Sequence, residues 1–129
     1  MLHILICDDS QACRRRLVRM LAEEGIETDE ACDGQEALEQ VSGSPEGYYG
    51  AVILDISMPV MDGLEAARRI KCLGRIDVQG MPLIAASGNS RGVYQPLAAA
   101  AGMAAYLCKP VDKSQLTAVL RRLLKSVHN

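Results

Sequence analysis

The sequence predicts an α/β fold in which five parallel strands form a doubly wound sheet with five helices on its two faces. Two segments, residues 51–54 and 83–86, are apolar without polar alternation, as in strands covered on both faces. Apolar segments of this kind alternate along the chain with segments of helical periodicity. Four of the five predicted strands end at a charged or hydroxyl side chain. Ligands of parallel sheets bind at the carboxyl ends of the strands, so these ends are candidate site positions.

Composition favours one globular domain, which we expect to span residues 1–129. Hydrophobic residues make up 49% of the chain, yet Trp and Phe are absent, so we expect a largely aliphatic core. A formal net charge of −2 argues against nucleic acid or an anionic membrane as a partner. No apolar segment approaches the roughly 20 residues of a membrane helix, and His3 interrupts the start too early for a signal peptide. We therefore expect a cytoplasmic protein.

The first predicted strand covers residues 2–7 and leads directly into two acids, Asp8 and Asp9. Ser10 is a suitable N-cap for the helix that follows, and Gly25 ends that helix. Its arginines lie mostly opposite its apolar side, which favours a solvated face; the alternative is contact with an acidic partner. These arginines are Arg14, Arg15, Arg16 and Arg19.

The second strand carries the weakest signal. Residues 26–31 contain three acids, which an edge strand tolerates better than a central one. Asp33 and Gly34 form a turn signal before a short helix over residues 35–41, and residues 42–47 (SGSPEG) are a loop. We therefore place this strand at an edge of the sheet.

The third predicted strand, residues 51–54, is the centre of the fold, and Asp55 stands where it leaves the sheet. Pro59 disfavours helical angles in the residue before it, so the chain turns there. Gly63 precedes a helix over residues 64–73 that has one apolar side.

The fourth predicted strand, residues 83–86, ends at Ser87. Because Pro96 breaks a helix unless it lies in the first turn, we predict the next helix over residues 95–102, after a long loop. Glycine and alanine are frequent here and bury little apolar area. We therefore expect residues 88–96 to be mobile and the least protected part of the domain.

The fifth predicted strand covers residues 104–107, with Lys109 and Pro110 just beyond its carboxyl end. The final helix, predicted over residues 113–127, has the most regular periodicity in the chain. Its apolar side chains form one stripe that consists of Leu116, Val119, Leu120, Leu123, Leu124 and Val127.

Five scattered cysteines include no C-x-x-C pair, and the two histidines, His3 and His128, lie at opposite ends of the chain. A zinc site needs clustered ligands, so thiolate metal binding is disfavoured. We expect most or all cysteines to be reduced and to lie in or near the core, with a redox pair of Cys7 and Cys32 as the alternative. The others are Cys13, Cys72 and Cys108.

Four predicted strand ends carry related chemistry: Asp8 with Asp9, Asp55, Ser87 and Lys109. Each alone is explained as a cap or turn residue, but together they lie at one edge of a parallel sheet. Three crowded carboxylates repel one another unless a cation is present, and oxygen ligands without His or Cys suit Mg²⁺. A lysine ammonium and a hydroxyl group suit phosphoryl oxygens. The set therefore predicts phosphoryl transfer to an aspartate.

With these residues in place, the chain resembles the receiver domain of two-component response regulators over essentially its whole length. The matching motifs are Asp8-Asp9, DGQEALE at 33–39, LDISMPVMDG at 54–63, Ser87 after an apolar strand, and AAYLCKP at 104–110. The resemblance implies a flavodoxin-like sheet with strand order 2-1-3-4-5. It also implies a histidine kinase or a histidine phosphotransfer protein as the phosphoryl donor.

The resemblance further implies the metal site. Asp55 is the expected phosphorylation site, and Mg²⁺ is expected to be bound directly by Asp9, Asp55 and the backbone carbonyl of Ser57. Asp8 is expected to contribute mainly through water.

The resemblance also implies how phosphorylation is sensed. Lys109 pairs with the phosphoryl group, and the Lys109–Pro110 bond is cis. Ser87 and Tyr106 match paired switch positions, at which the hydroxyl moves to the phosphoryl group and the ring turns inward. A downstream target protein is expected at the face formed by the fourth predicted helix, the fifth strand and the final helix.

Two departures from the family pattern concern this output face. Gly88 stands where alanine is more usual, and Pro96 shortens the fourth predicted helix. Other functions on related folds fit less well. An aspartyl-phosphate-forming phosphatase of the haloacid dehalogenase type needs an aspartate where this chain has Ser57, and a flavin module needs a hydroxyl- and glycine-rich loop instead of the first acidic pair. A phosphorylation-silent scaffold does not need the full set of site residues.

Because the sequence ends directly after the final helix, we expect a stand-alone regulator of the chemotaxis or phosphorelay type. A receiver module cut from a hybrid histidine kinase is the alternative. We expect no enzymatic activity beyond its own phosphorylation and dephosphorylation.

Overall fold

A computed structural model describes residues 2–88 and 91–124, and it confirms the predicted fold class and strand order. All neighbouring strands are parallel, in the order β2-β1-β3-β4-β5. Each strand agrees with its predicted range to within one residue at either end. Apolar runs mark the four buried strands directly, whereas β2 is predicted as a charged edge strand. The strands are β1 His3–Cys7, β2 Glu27–Ala31, β3 Ala51–Asp55, β4 Leu83–Ser87 and β5 Ala105–Cys108.

The described residues form six helices, one more than predicted; five lie between strands and the last follows β5. The additional helix is α4, whose single turn of four residues is too short to show a helical period. No helix in the described part of the chain is long and apolar enough to cross a membrane. The helices are α1 Gln11–Ala22, α2 Gly34–Ser42, α3 Gly63–Lys71, α4 Ile76–Gln79, α5 Arg91–Ala100 and α6 Lys113–Leu124.

Short polar side chains begin three of these helices, as the turn signals indicate. Ser10 accepts a hydrogen bond from the backbone N–H of the third residue along, and so do Asp33 and Asp62. Each bond satisfies one N–H group that the first turn of a helix leaves without a partner.

The sheet separates two apolar layers. On one face it packs against α2, α3, α4 and α5, and on the other against α1 and α6. All five residues of β3 are buried, which places this strand at the centre, as predicted. β2 lies at an edge and keeps its acidic residues partly exposed, also as predicted.

The predicted start of the helix after β4 is wrong. α5 begins at Arg91, and Pro96 lies inside it instead of in its first turn. Pro96 has no N–H to donate to the carbonyl of Gly92, so the helix lacks one hydrogen bond. Packing offsets this loss, because Tyr94 contacts the apolar core and Ala98 is buried against it.

Some sequence expectations fall partly or wholly outside the described residues. The mobility expected for residues 88–96 includes positions 89 and 90, and it stays a prediction that amide hydrogen exchange can measure. Val127 and His128 lie beyond the last described residue. Within the described part, the apolar stripe of α6 faces the core, since Leu116, Leu120 and Leu124 are buried.

All five cysteines are free thiols. Cys7 is buried and donates from its Sγ to the carbonyl of Asp33 at 3.0 Å. Burial, followed by the charge of Asp33, raises the pKa of Cys7, which disfavours the reactive thiolate that a redox pair needs. Cys32 and Cys72 are exposed because each follows the end of an element, so the expected location in or near the core is wrong for these two.

Candidate functional site

The carboxyl ends of β1, β3 and β5 bring three charged side chains into contact. The Nζ of Lys109 lies 2.6 Å from the Oδ2 of Asp8 and 3.2 Å from the Oδ2 of Asp55. Asp8 is 1% exposed and Asp55 is 6% exposed, so one cation lies between two buried carboxylates. The sequence places these residues at strand ends, and the parallel sheet brings them together.

Asp9 completes an acidic triad at the same edge. Asp9 is exposed, and one carboxylate oxygen from each of Asp8, Asp9 and Asp55 lies within 4.8 Å of the other two. Within residues 2–88 and 91–124, no other set of three or more His, Cys, Asp or Glu side chains is grouped in this way. Crowded carboxylate oxygens with one side open to water suit a hard cation that keeps part of its hydration shell.

The carboxylates of the site carry more negative charge than Lys109 neutralises, and the pKa values show this. Burial, and after it the negative charge of Asp8, raises the pKa of Asp55 to about 6, while Lys109 and the N–H of Ser57 oppose this rise. Burial lowers the pKa of Lys109, but the two carboxylates outweigh burial and raise the pKa above its usual value. The lysine is therefore charged at neutral pH, and the carboxylates share more negative charge than it neutralises.

Backbone contacts orient the acids. The N–H of Ser10 donates to the Oδ1 of Asp8 at 2.9 Å, and Arg14 donates to the Asp8 carbonyl at 2.7 Å. The N–H of Ser57 donates to the Oδ1 of Asp55 at 3.3 Å. The carboxylate oxygens opposite these bonds are the ones that contact Lys109.

A tight turn follows Asp55. Val60 has a φ of 70°, and the N–H of Met61 donates to the carbonyl of Pro59 at 2.7 Å, which together form a γ-turn. A Cβ on Gly63 would lie 2.2 Å from the Asp55 carbonyl oxygen, so only glycine allows α3 to begin this close to the site. Ser57, just before this turn, lines a surface cleft together with Asp9.

The expected switch residues lie on β4 and β5. Ser87 is 1% exposed, and its carbonyl accepts a hydrogen bond from the N–H of Lys109 at 2.9 Å. The Lys109–Pro110 bond is cis, as the resemblance implies. Tyr106 is 6% exposed and faces the core layer beneath α5.

Two neighbours of the site are not identifiable from sequence patterns. Tyr94 lines the cleft that contains Asp9 and Ser57. Arg91 lies over the ring of Tyr106. Both belong to the first half of α5, which the sequence predicts to be a loop because of Pro96.

Comparison with known proteins agrees with this architecture. The family model of the response regulator receiver domain matches residues 4–121. One similar structure is the receiver domain of sensor histidine kinase PA1611 from Pseudomonas aeruginosa PAO1, with a TM-score of 0.85 and 27% identity over 96% of this chain and 98% of that one. That structure is described with a magnesium ion coordinated in the active-site cleft. Chemotaxis protein CheY4 of Vibrio cholerae has a TM-score of 0.86 and 27% identity, covering 96% of this chain and 99% of that one.

The curated relatives are longer proteins. The peroxide stress-activated histidine kinase mak3 of Schizosaccharomyces pombe is 32% identical over 94% of this chain, which corresponds to 5% of the kinase. Response regulator MprA of Mycolicibacterium vanbaalenii is 34% identical over 95% of this chain, which corresponds to 50% of MprA. The chain thus spans about half or less of these relatives, and the family match over residues 4–121 shows that it belongs to the response regulator receiver domains of two-component systems.

Proposed function

We propose that this receiver domain accepts a phosphoryl group on Asp55 and signals through the conformational change that follows. One observation carries the proposal: the ammonium of Lys109 lies 3.2 Å from Asp55 and 2.6 Å from Asp8, at the edge of an acidic triad. This arrangement supplies a carboxylate nucleophile and a cation for the oxygens of an incoming phosphoryl group.

The reaction is a phosphoryl transfer from a phosphohistidine donor. A carboxylate oxygen of Asp55 attacks phosphorus, a P–O bond forms, and the P–N bond to the donor imidazole breaks. The electron pair of the broken bond remains on the imidazole nitrogen. Lys109 holds a phosphoryl oxygen, and the Ser87 hydroxyl donates a hydrogen bond to another. The product is an aspartyl phosphate that hydrolyses with water to restore the carboxylate.

The donor set fits Mg²⁺ as the cofactor. Asp9, Asp55 and the backbone carbonyl of Ser57 would hold the ion, with Asp8 contributing mainly through water; the three acids lie within 4.8 Å of one another. Mg²⁺ bound there supplies positive charge that offsets repulsion between the acids and the phosphoryl oxygens. The excess negative charge at Asp8 and Asp55 supports this assignment.

The proposal extends to partners. A histidine kinase or a histidine phosphotransfer protein donates the phosphoryl group, and Ser87 and Tyr106 relay its arrival to a target protein at the face of α5, β5 and α6. The protein catalyses only its own phosphorylation and dephosphorylation, in the cytoplasm. It acts as a single domain over residues 1–129, either as a stand-alone regulator or as a receiver module of a longer hybrid kinase. The phosphatase alternative has little support, because Ser57 offers no carboxylate as a general acid.

The test is intact mass spectrometry after incubation with phosphoramidate and Mg²⁺. Wild type should gain one phosphoryl mass, whereas Asp55→Asn should gain none and chelation of Mg²⁺ should abolish labelling of wild type. Asp62→Asn is the matched control, because Asp62 lines the cleft that contains Asp9 and Ser57 and because asparagine also caps helices. Full labelling of Asp55→Asn would overturn the assignment.

A further inference from the structure

Arg91 is a polar neighbour of Tyr106 that the proposed switch does not use. The guanidinium carbon of Arg91 lies 5.7 Å from the centroid of the Tyr106 ring. The same guanidinium donates from Nη2 to the Tyr106 carbonyl at 3.0 Å. Arg91 thus contacts both the ring and the backbone of one residue on the edge strand β5.

We propose that Arg91 is a positioning residue that holds the ring of Tyr106 inward and thereby sets how strongly the domain responds to phosphorylation. The proposal rests on the function proposed for Asp55 and deepens it. A cation above an aromatic face is attracted by the ring, and the bond to the carbonyl keeps the planar guanidinium in place. In the structure the ring is 6% exposed, which is the arrangement that this contact favours.

The surroundings of the ring explain why such a contact matters. Among the described residues β5 is an edge strand, so no further strand of that part of the chain covers Tyr106 on that side. Five alanines are among the residues that line the two grooves beside the ring, and their short side chains leave room for a ring that turns outward. Arg91 closes over the ring from the start of α5, so it biases the choice between the two positions. These alanines are Ala98, Ala99, Ala104, Ala105 and Ala118.

The consequence for signalling follows from linkage. If a phosphoryl group on Asp55 favours the inward ring, then any residue that favours the same position raises the apparent affinity of the site for a phosphoryl mimic. Loss of Arg91 lowers the fraction of molecules with the Tyr106 ring inward. Part of the binding free energy of the mimic is then used to move the ring inward, so the mimic binds more weakly.

The experiment uses ¹⁹F NMR of the protein labelled with 3-fluorotyrosine, with Tyr106→Phe to assign the signal and beryllofluoride as the mimic. Arg91→Ala should shift the Tyr106 signal toward a solvent-exposed position in the unmodified protein. It should also weaken beryllofluoride binding by roughly three- to tenfold. Arg91→Lys, which keeps the charge but loses the planar group, should lie between Arg91→Ala and wild type. Arg122→Ala is the matched control, because Arg122 is another exposed arginine of the same groove.

If Arg91 had only a structural role, Arg91→Ala would lower beryllofluoride affinity equally with and without the Tyr106 ring. The proposal predicts a different result. In a Tyr106→Ala background, Arg91→Ala should have no further effect on beryllofluoride affinity, since its effect passes through the ring. An unchanged Tyr106 signal in Arg91→Ala, or an equal loss of affinity in the Tyr106→Ala background, would overturn the proposal. Failure of phosphoramidate to label wild type would overturn the function proposed for Asp55 instead. The ring position of the unmodified Arg91→Ala protein still tests Arg91 in that case.

Discussion

Asp55 and Asp77 are each close to a basic side chain, yet the fold moves their pKa values in opposite directions. Asp77 accepts two hydrogen bonds from Arg75, at 2.8 and 3.1 Å, and one from the N–H of Gly47 at 2.9 Å. These bonds, with that of Arg75 as the largest contribution, lower the pKa of Asp77 to about 2. Burial and the neighbouring Asp8 raise the pKa of Asp55 to about 6.

The difference lies in how completely each charge is matched. The guanidinium of Arg75 also donates to the carbonyls of Val41 and Ser44, both at 3.0 Å, and to that of Pro45 at 3.3 Å. It therefore ties the end of α2 and the following loop to the start of α4. At the site, two buried carboxylates share one lysine, so negative charge remains in excess. The matched pair of Arg75 and Asp77 holds loops together. At the candidate site, by contrast, the excess negative charge leaves Asp55 with a carboxylate that a bound cation would stabilise.

The largest expected effects come from removing the two basic partners. Lys109→Ala should keep a cooperative thermal transition in the presence of Mg²⁺ but lose the conformational response to beryllofluoride, because the ammonium that pairs with the mimic is then missing. Arg75→Ala should do the reverse: its melting temperature should fall by several degrees while labelling by phosphoramidate stays at the wild-type level. Calorimetry and intact mass measure the two properties. An unfolded Lys109→Ala protein would show that this lysine is structural.

A smaller effect, on stability, should distinguish Asp55 from Asp77. In EDTA at pH 7, Asp55→Asn should stabilise the protein by about 1–3 kcal/mol, because it removes a buried charge that the fold disfavours. Asp77→Asn should destabilise the protein, because it removes the negative charge and one of the two oxygens that accept these three hydrogen bonds. Urea denaturation measures both changes. Added Mg²⁺ should reduce the advantage of Asp55→Asn, and a change of the same sign for both variants would contradict the comparison.

The smallest expected effect is the pH dependence of the stability difference between wild type and Asp55→Asn. Because the pKa of Asp55 is raised from 3.8 to about 6, the folded state binds its proton more tightly than the unfolded state. Wild type should therefore lose stability as the pH rises through about 6, and the difference from Asp55→Asn should shrink toward pH 4. The lowered pKa of Asp77 acts in the opposite direction, since its contribution is lost as the pH falls toward about 2. In EDTA, urea titrations between pH 4 and 8 would check the sign for Asp55→Asn, and titrations between pH 2 and 5 would check it for Asp77→Asn.

Much of the fold was predictable from local patterns. Apolar runs located four of the five strands to within one residue at either end, and turn residues such as Asp33 and Asp62 marked the starts of helices. The strand-end positions of Asp8, Asp55 and Lys109 also indicated that these side chains meet. Local rules failed where packing overrides them, as at Pro96 inside α5 and in the single turn of α4.

The sequence by itself determined the fold class, the strands and the members of the candidate site, because period, apolar content and strand ends are local properties of the chain. The tertiary structure alone decided the partners of Arg75, which lie about 30 residues away along the chain, and the contact of Arg91 with Tyr106. It also decided that the pKa values of Asp55 and Asp77 shift in opposite directions from the usual value of an aspartate. Hydrogen-bond geometry and burial depend on distances between remote segments, and those distances exist only once the chain has folded.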